Sequence, residues 1–368
     1  LTLFGALAMF LYGMTLMSEG LQKAAGDKLR SFLAAMTSTR LKRVITGIII
    51  TALIQSSSGT TVMVVSMVNA GLLSLGNAIG VIMGANIGTT ITAWLIAVFG
   101  FSVDISTFAI PLVALGFIFT LNKNNRTRSI GQCIIGFCLL ILGLAALKAS
   151  VPNLDEHPET LAFVQNLTQY RFLSVLIFLS LGTILTIVLQ ASSATMALTM
   201  VFVSNGWIGF DMAAAMVLGE NIGTTITANL AALTGNTQAR RAALAHLAFN
   251  VFGVIWVLVL FYPFTNGVSW FVENVMHVTD PELAVSFKLA AFHTAFNISN
   301  TFIMIWFVRL IETTVCTIIP SKAEDEEYRL RFITGGMLST AELSILQAHK
   351  EISLFAERTS RMFGMVKE

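Results

Sequence analysis

The chain has 368 residues, 55% apolar and 11% charged, with a formal net charge of +2 and a mean hydropathy of +0.78. A soluble globular domain carries about 25% charged residues, so this composition excludes one. The basic residues sit in short loops beside apolar runs, so the net charge is no sign of nucleic-acid binding, and no nucleic-acid partner is expected.

Apolar runs of about 20 residues are long enough to span a bilayer. The clearest runs are 1–21, 44–54, 105–121, 130–147, 172–189, 242–261 and 284–308. The chain opens at Leu1 inside the first run, which predicts residues ahead of it, and no cleavable signal pattern is visible. Residues 23–43 predict an amphipathic interfacial helix, with Leu29, Phe32, Leu33 and Met36 opposite basic side chains. Between Gly47 and Phe99 the Ser and Thr clusters, Asn69-Ala70-Gly71, Gly76-Asn77, Gly80, Gly84 and Gly88 interrupt the pattern too often for two continuous helices. Re-entrant hairpins fit better, with turns at 69–71 and at Asn205-Gly206, because non-helical backbone at membrane depth is tolerated where it lines a cavity. Cys133, Cys138 and Cys316 lack metal-type spacing and read as packing residues. From Glu312 the chain is highly charged, and Leu343, Leu346, Ile352, Leu354 and Phe355 predict a cytoplasmic helix that begins a larger region.

A duplication organises the chain. Gln55-Ser56-Ser57-Ser58-Gly59-Thr60, followed by Gly84-Ala85-Asn86-Ile87-Gly88-Thr89-Thr90-Ile91-Thr92-Ala93, recurs 135 residues later. The second copy reads Gln190-Ala191-Ser192-Ser193-Ala194-Thr195 and Gly219-Glu220-Asn221-Ile222-Gly223-Thr224-Thr225-Ile226-Thr227-Ala228. Aligned without gaps, residues 55–93 and 190–228 share 16 of 39 positions. Polar, Gly-interrupted stretches repeated inside apolar segments are the sequence sign of a transporter whose site lies between two repeats.

Loops 22–43, 122–129 and 235–241 hold eleven Lys or Arg residues and read as cytoplasmic, whereas 100–104, 149–170 and 262–283 hold none and read as external. An offset of 135 maps inner loops onto outer ones, so the two copies face opposite ways. The sequence therefore predicts an all-α polytopic membrane protein with two inverted-topology repeats and broken, re-entrant helices. Its expected parts are a first repeat at 1–129, a second at 130–262, an external loop and final membrane helix at 263–311, and a cytoplasmic helical tail at 312–368.

Gln, Ser, Thr and Asn oxygens, with carbonyls freed at helix breaks, suit a hard cation such as Na+. Freed N–H groups at half-helix N-termini suit an oxyanion. Neither motif contains Lys or Arg, so co-bound cations would have to balance an anion. The plainer reading of such Ser and Thr residues is back-bonding to the i−4 carbonyl or helix contact; two clusters in register across a duplication favour a site. Close helix contact is an equal alternative for Gly84, Gly88, Gly219 and Gly223. Glu220, opposite Ala85, is either a cation ligand or coupling group, or a carboxylate paired with Arg240 or Arg241 near the interface. His246 and His293 form an echo, His246-Leu247-Ala248-Phe249-Asn250 and His293-Thr294-Ala295-Phe296-Asn297, and read as buried helix-contact histidines.

These paired Gln-Ser-Ser motifs, each followed by Gly-x-Asn-Ile-Gly-Thr-Thr, resemble the type II sodium/phosphate cotransporters over roughly residues 1–310. The resemblance implies sodium-coupled phosphate uptake by alternating access. It implies that Gln55, Ser56, Ser57, Ser58 and Thr60 match the first motif, and Gln190, Ser192, Ser193 and Thr195 the second. Asn86, Thr89, Thr90, Glu220, Asn221, Thr224 and Thr225 complete the expected substrate and sodium set, with Na+ assigned to Gln55, Ser57, Gln190 and Ser192. Ala191 departs from the pattern where the first motif has Ser56, so the two half-sites are chemically unequal. The tail resembles the start of the regulatory extension similar to the phosphate-uptake regulator PhoU. Phosphate, sodium ions and the lipid bilayer are the expected partners, with a homodimer as a candidate assembly, no cofactor beyond co-transported Na+, and the bacterial cytoplasmic membrane as location.

Competing readings are a sodium-coupled carrier of another oxyanion such as sulfate, a channel, and an intramembrane serine hydrolase using His246 or His293. Lack of an Arg fork favours a small oxyanion over a carboxylate. A hydrolase gives no reason to duplicate the Ser cluster.

Overall fold

The computed structural model describes residues 1–25, 39–102, 106–151, 167–278, 280–320, 332 and 341–366. It is all-α, with no strand among the described residues. The helices are α1 (Thr2–Ala25), α2 (Arg40–Ile54), α3 (Ser57–Asn69), α4 (Leu75–Ala97, running on through a π-helical turn, Val98–Ser102), α5 (Ser106–Thr120) and α6 (Asn125–Ser150). They continue as α7 (Phe172–Leu189), α8 (Ser192–Ser204), α9 (Phe210–Gly223), α10 (Thr225–Ala232), α11 (Thr237–Val259), α12 (Phe261–Asn274), α13 (Pro281–Met304), α14 (Val308–Ile318) and α15 (Ala341–Val366). Six helical stretches are long and apolar enough to cross a bilayer: Thr2–Ala25, Leu75–Phe101, Asn125–Ser150, Phe172–Leu189, Thr237–Val259 and Leu283–Ile318. The protein is a polytopic helical membrane protein.

Each copy of the repeat is built around a break. Helix α2 has 15 residues, about 22 Å of helix, too short for a hydrocarbon core of about 30 Å. It ends at Gln55, which is left-handed (φ 54°, ψ 25°), and Ser56 is extended before α3 begins. The Thr51 and Thr60 hydroxyls then meet at 3.0 Å, although nine residues of continuous helix would separate them by about 13 Å. The chain has therefore doubled back, and the Gln-Ser motif is the apex. A second turn carries Gly71 at φ 65°, after which α4 runs alongside α2. Glycine makes that closeness possible: a Cβ on Gly84 would strike the Val44 carbonyl, and one on Gly88 the Thr51 side chain. Contacts rise together along both helices, so α2 and α4 are parallel with α3 returning between them.

The second copy repeats this geometry. Gln190 is left-handed (φ 53°, ψ 24°), Ala191 is extended, and Thr186 meets Thr195 at 2.9 Å. Gly206 turns at φ 73°. Gly219 abuts the Leu179 carbonyl and Gly223 the Thr186 side chain, the same contacts shifted by the repeat offset.

The expected turns at 69–71 and 205–206 are present, but sequence inspection did not find the breaks at Gln55 and Gln190. Three other expectations change. Residues 44–54 belong to a half-length helix, while the Gly-rich Leu75–Phe101 is continuous, because its glycines face a neighbouring helix instead of breaking their own. The expected external loop at 262–283 contains α12, which buries Phe261, Thr265, Val268 and Val272 on one face. The interfacial helix expected at 23–43 and the loop at 149–170 lie largely outside the described residues.

Around these hairpins, α1 and α6 pack antiparallel through glycines. Gly13 meets backbone at 136–140, Gly20 meets 129–133, and Gly143 meets Met9 and Phe10. Helix α13 lies across α4, with Trp94 Nε1 donating to Thr294 Oγ1 (3.0 Å) and Thr301 Oγ1 to the Met83 carbonyl (3.4 Å). The buried apolar residues fall into two clusters. One centres on α1, α6, α8, α9 and α13, and the other on α3, α4, α11 and α14.

Candidate functional site

At the first apex, two helix ends of opposite polarity meet. The C-terminus of α2 presents carbonyls, which favour cations, and the N-terminus of α3 presents N–H groups, which favour anions. The Ser56 hydroxyl accepts from Gly59 N (3.0 Å), and the first intrahelical bond runs from Thr60 N to the Ser56 carbonyl (3.0 Å). The N–H groups of Ser57 and Ser58 have no hydrogen-bond partner among the described residues. Gln55 is 6% exposed. Its Nε2 donates to the Ala52 carbonyl (2.6 Å) and its Oε1 accepts from Thr92 Oγ1 (3.0 Å). Ser18 of α1 donates to the Ile54 carbonyl, bracing the break.

The second apex shares the backbone but not the side-chain state. Ala191 has no hydroxyl to cap the helix, so the Ala194 N–H joins those of Ser192 and Ser193 as an uncommitted donor among the described residues. Gln190 is exposed, and Thr227 donates to the Thr224 carbonyl (3.0 Å) where its counterpart Thr92 holds Gln55. Ser193 donates to Met14 Sδ (2.8 Å). Ser57, Gln190 and Ser192 make no side-chain hydrogen bond among the described residues, leaving three of the four expected sodium ligands with uncommitted oxygens.

The remaining expected residues are placed as follows. Asn86 Nδ2 donates to the Ile82 carbonyl (3.1 Å) and Asn221 Nδ2 to Val217 (2.7 Å); both are buried. Thr89 donates to Ala85 (3.1 Å), while Thr90 and Thr225 donate to the carbonyls three residues before them (2.7 Å each). The Thr89 bond is the i−4 back-bond of the plainer reading, whereas those of Thr90 and Thr225 run to i−3 carbonyls. Between the copies, the structure joins Ser58 Oγ to Thr224 Oγ1 at 3.1 Å. Eleven and twelve residues further on, Asn69 and Asn236 make two hydrogen bonds (2.8 and 2.9 Å).

Glu220 is 1% exposed, and its Oε1 lies 3.9 Å from His293 Nε2. Arg240 instead donates to the Leu233 carbonyl and Arg241 to the Ile319 carbonyl (2.9 Å each), so the interfacial arginine pairing does not form. His246 and His293 are both buried, as expected of helix-contact histidines. Asn250 and Asn297 each donate to the carbonyl of the histidine one turn before (2.9 Å), and among the described residues both Oδ1 atoms lack a hydrogen-bond partner, as does Glu220 Oε2.

Residues 9–149 and 157–278 match the family described as Na+/Pi-cotransporter. The chain belongs to that family. Among curated relatives, the "Uncharacterized protein YqeW" of Bacillus subtilis is 33% identical over 85% of this chain and 96% of its own length. The "Putative inorganic phosphate export protein YjbB" of Escherichia coli K12 is 28% identical over 98% of this chain, which spans 64% of that relative's length. The rat "Sodium-dependent phosphate transport protein 2A" is 38% identical over 26% of this chain and 15% of its own length. No solved structure gives a significant match. Family membership supports phosphate transport as the activity class of this membrane protein.

Sequence reasoning missed Thr51, Thr92 and Thr186, which brace the two apices. Thr92 could have been found, since it lies inside the repeated Thr-Thr-Ile-Thr. Thr51 and Thr186 sit at matched offsets from the two Gln residues, but ahead of the aligned window.

Proposed function

We propose that this protein is a secondary transporter that takes up inorganic phosphate together with sodium, by alternating access between two inverted repeats in a bacterial cytoplasmic membrane. The observation that carries this reading is the duplicated apex. Twice, a left-handed Gln ends one helix and opens another, so that carbonyl and N–H termini face a common point with no Lys or Arg in the motif. Phosphate would take the N–H groups and hydroxyls of Ser57, Ser58, Ser192 and Ser193. Sodium would take Gln, Ser and carbonyl oxygens and supply the missing positive charge.

Inversion is supported by the contacts between copies. Helix α3 and the α9–α10 arm keep step from Ser58–Thr224 to Asn69–Asn236, so they run side by side in one direction. Since α3 runs against α4, the second copy's long arm opposes the first copy's. A tail on the cytoplasmic side is part of the same reading, from the basic loops.

A second reading, phosphate export, is favoured by the name of the Escherichia coli relative that matches nearly the whole chain. Proteoliposomes separate the two. Uptake of labelled phosphate driven by an inward sodium gradient, and insensitive to excess sulfate, is the expected result. Phosphate movement indifferent to sodium overturns the coupled reading, and movement only from the cytoplasmic face outward supports export.

A further inference from the structure

The two apices have backbones that agree within a few degrees, yet their side chains are in different states. At the first, Gln55 is buried and bonded at both ends of its amide, and Ser58 reaches across to Thr224 of the other copy. At the second, Gln190 is exposed, Thr227 is turned to the Thr224 carbonyl, and Ser193 and Thr89 bond to Met14 Sδ and the Ala85 carbonyl. Ser193 and Thr89 are the repeat counterparts of Ser58 and Thr224. One cross-copy hydroxyl pair is therefore closed and its mirror pair is open. Intrinsic preference does not explain this, because the same residue types stand at all four positions.

We propose that Thr92 and Ser58 are positioning residues that hold the first half-site closed, and that Thr227 and Ser193 take the same role at the second half-site in the opposite state. This rests on the inverted-repeat reading above. In the exchanged state Thr227 donates to Gln190 Oε1, Gln190 Nε2 donates to the Ile187 carbonyl, and Ser193 pairs with Thr89. Meanwhile Gln55 is released and Ser58 parts from Thr224. A two-state element must make different contacts in each state, and here both sets are specified by one sequence. The hydroxyl pair contributes a modest, reversible hydrogen bond, suited to a contact that breaks each cycle.

The test uses the full chain in membranes, with Cys133, Cys138 and Cys316 replaced by Ala. One variant carries Ser58→Cys with Thr224→Cys, the other Thr89→Cys with Ser193→Cys. Disulfides form where Cα atoms approach within about 7 Å. Both pairs are expected to cross-link on mild oxidation, with yields that move in opposite directions as sodium and phosphate are added or withdrawn. Failure of the 89–193 pair to cross-link under every condition overturns the proposal, as do yields that rise and fall together. Because paired substitutions can disturb folding, alkylation of single Gln55→Cys and Gln190→Cys variants gives a second readout. Conditions that expose position 190 are expected to protect position 55, and the reverse, each by about tenfold. Equal reactivity at both positions in all conditions overturns it too. Labelled-phosphate uptake by the unsubstituted protein is measured alongside. Loss of sodium dependence there defeats the transport reading, whereas normal uptake with a 89–193 pair that never closes defeats only the exchange.

Discussion

Gln55 and Gln190 stand at equivalent breaks but carry different local burdens, and this separates two effects of removing them. Gln55→Ala and Gln190→Ala are both expected to abolish sodium-dependent uptake at equal expression, because each removes an amide oxygen from a half-site. Their stabilities are expected to diverge. Gln55→Ala deletes one buried and one part-buried hydrogen bond and strands the Thr92 hydroxyl, a loss of about 1–3 kcal/mol. Gln190→Ala deletes none and is expected to stay within about 0.5 kcal/mol of wild type. Thermal unfolding in detergent beside uptake assays measures both, and wild-type uptake by both variants would make the repeats structural only. Ala191→Ser supplies the absent N-cap and is expected to stabilise by about 1 kcal/mol while uptake persists. Glu220→Gln removes a buried carboxylate whose neighbour is His293 and keeps an oxygen ligand. It is expected to change the sodium dependence of uptake with the fold retained, and superimposable sodium curves would exclude a coupling role.

At the scale of helices, the hairpins depend on backbones in contact. Gly84→Ala and Gly219→Ala would drive a methyl into the Val44 and Leu179 carbonyls, where neither side can yield cheaply. Each is expected to cost at least about 1–3 kcal/mol and to lower the yield of folded protein. Gly267→Ala, where nothing lies within 4 Å, is expected to be neutral or stabilising by up to about 1 kcal/mol. Parity of the three in thermal unfolding would show that the close approach is not required. These glycines also show what was legible in the sequence. Hydropathy revealed the long helices and the repeat offset revealed the two half-sites. In the sequence Gly84 and Gly88 read equally as breaks and as close helix contacts, and the structure bears out the contacts; a glycine that admits a neighbour and one that ends a helix look alike in one dimension. The real breaks were hidden at Gln55 and Gln190, since Gln carries no turn signal. The His293 contact of Glu220 is likewise invisible locally, as it joins helices 73 residues apart.

For the molecule as a whole, the absence of Lys or Arg from both motifs means that, on the proposed coupled reading, sodium and phosphate depend on each other. Phosphate titrated into protein in choline buffer is expected to bind weakly, and each ligand is expected to tighten the other by the same factor, as linkage requires. Tight phosphate binding without sodium, seen by calorimetry, would end the coupled reading.

The shortness of α2 bears on how this protein would feel a voltage. From Val44 to Ile54 the apolar part of α2 covers only about 16 Å, roughly half of a bilayer core of about 30 Å, so a helix entering from one face would end near mid-depth. On the proposed inverted arrangement, with the second hairpin entering from the other face, the electric field would fall across a layer of protein thinner than the full membrane. An ion that moves only a few ångströms past the apices then crosses most of the potential, about 2.3 kcal/mol per unit charge at 100 mV. Small rearrangements of the two hairpins thereby become large electrical work.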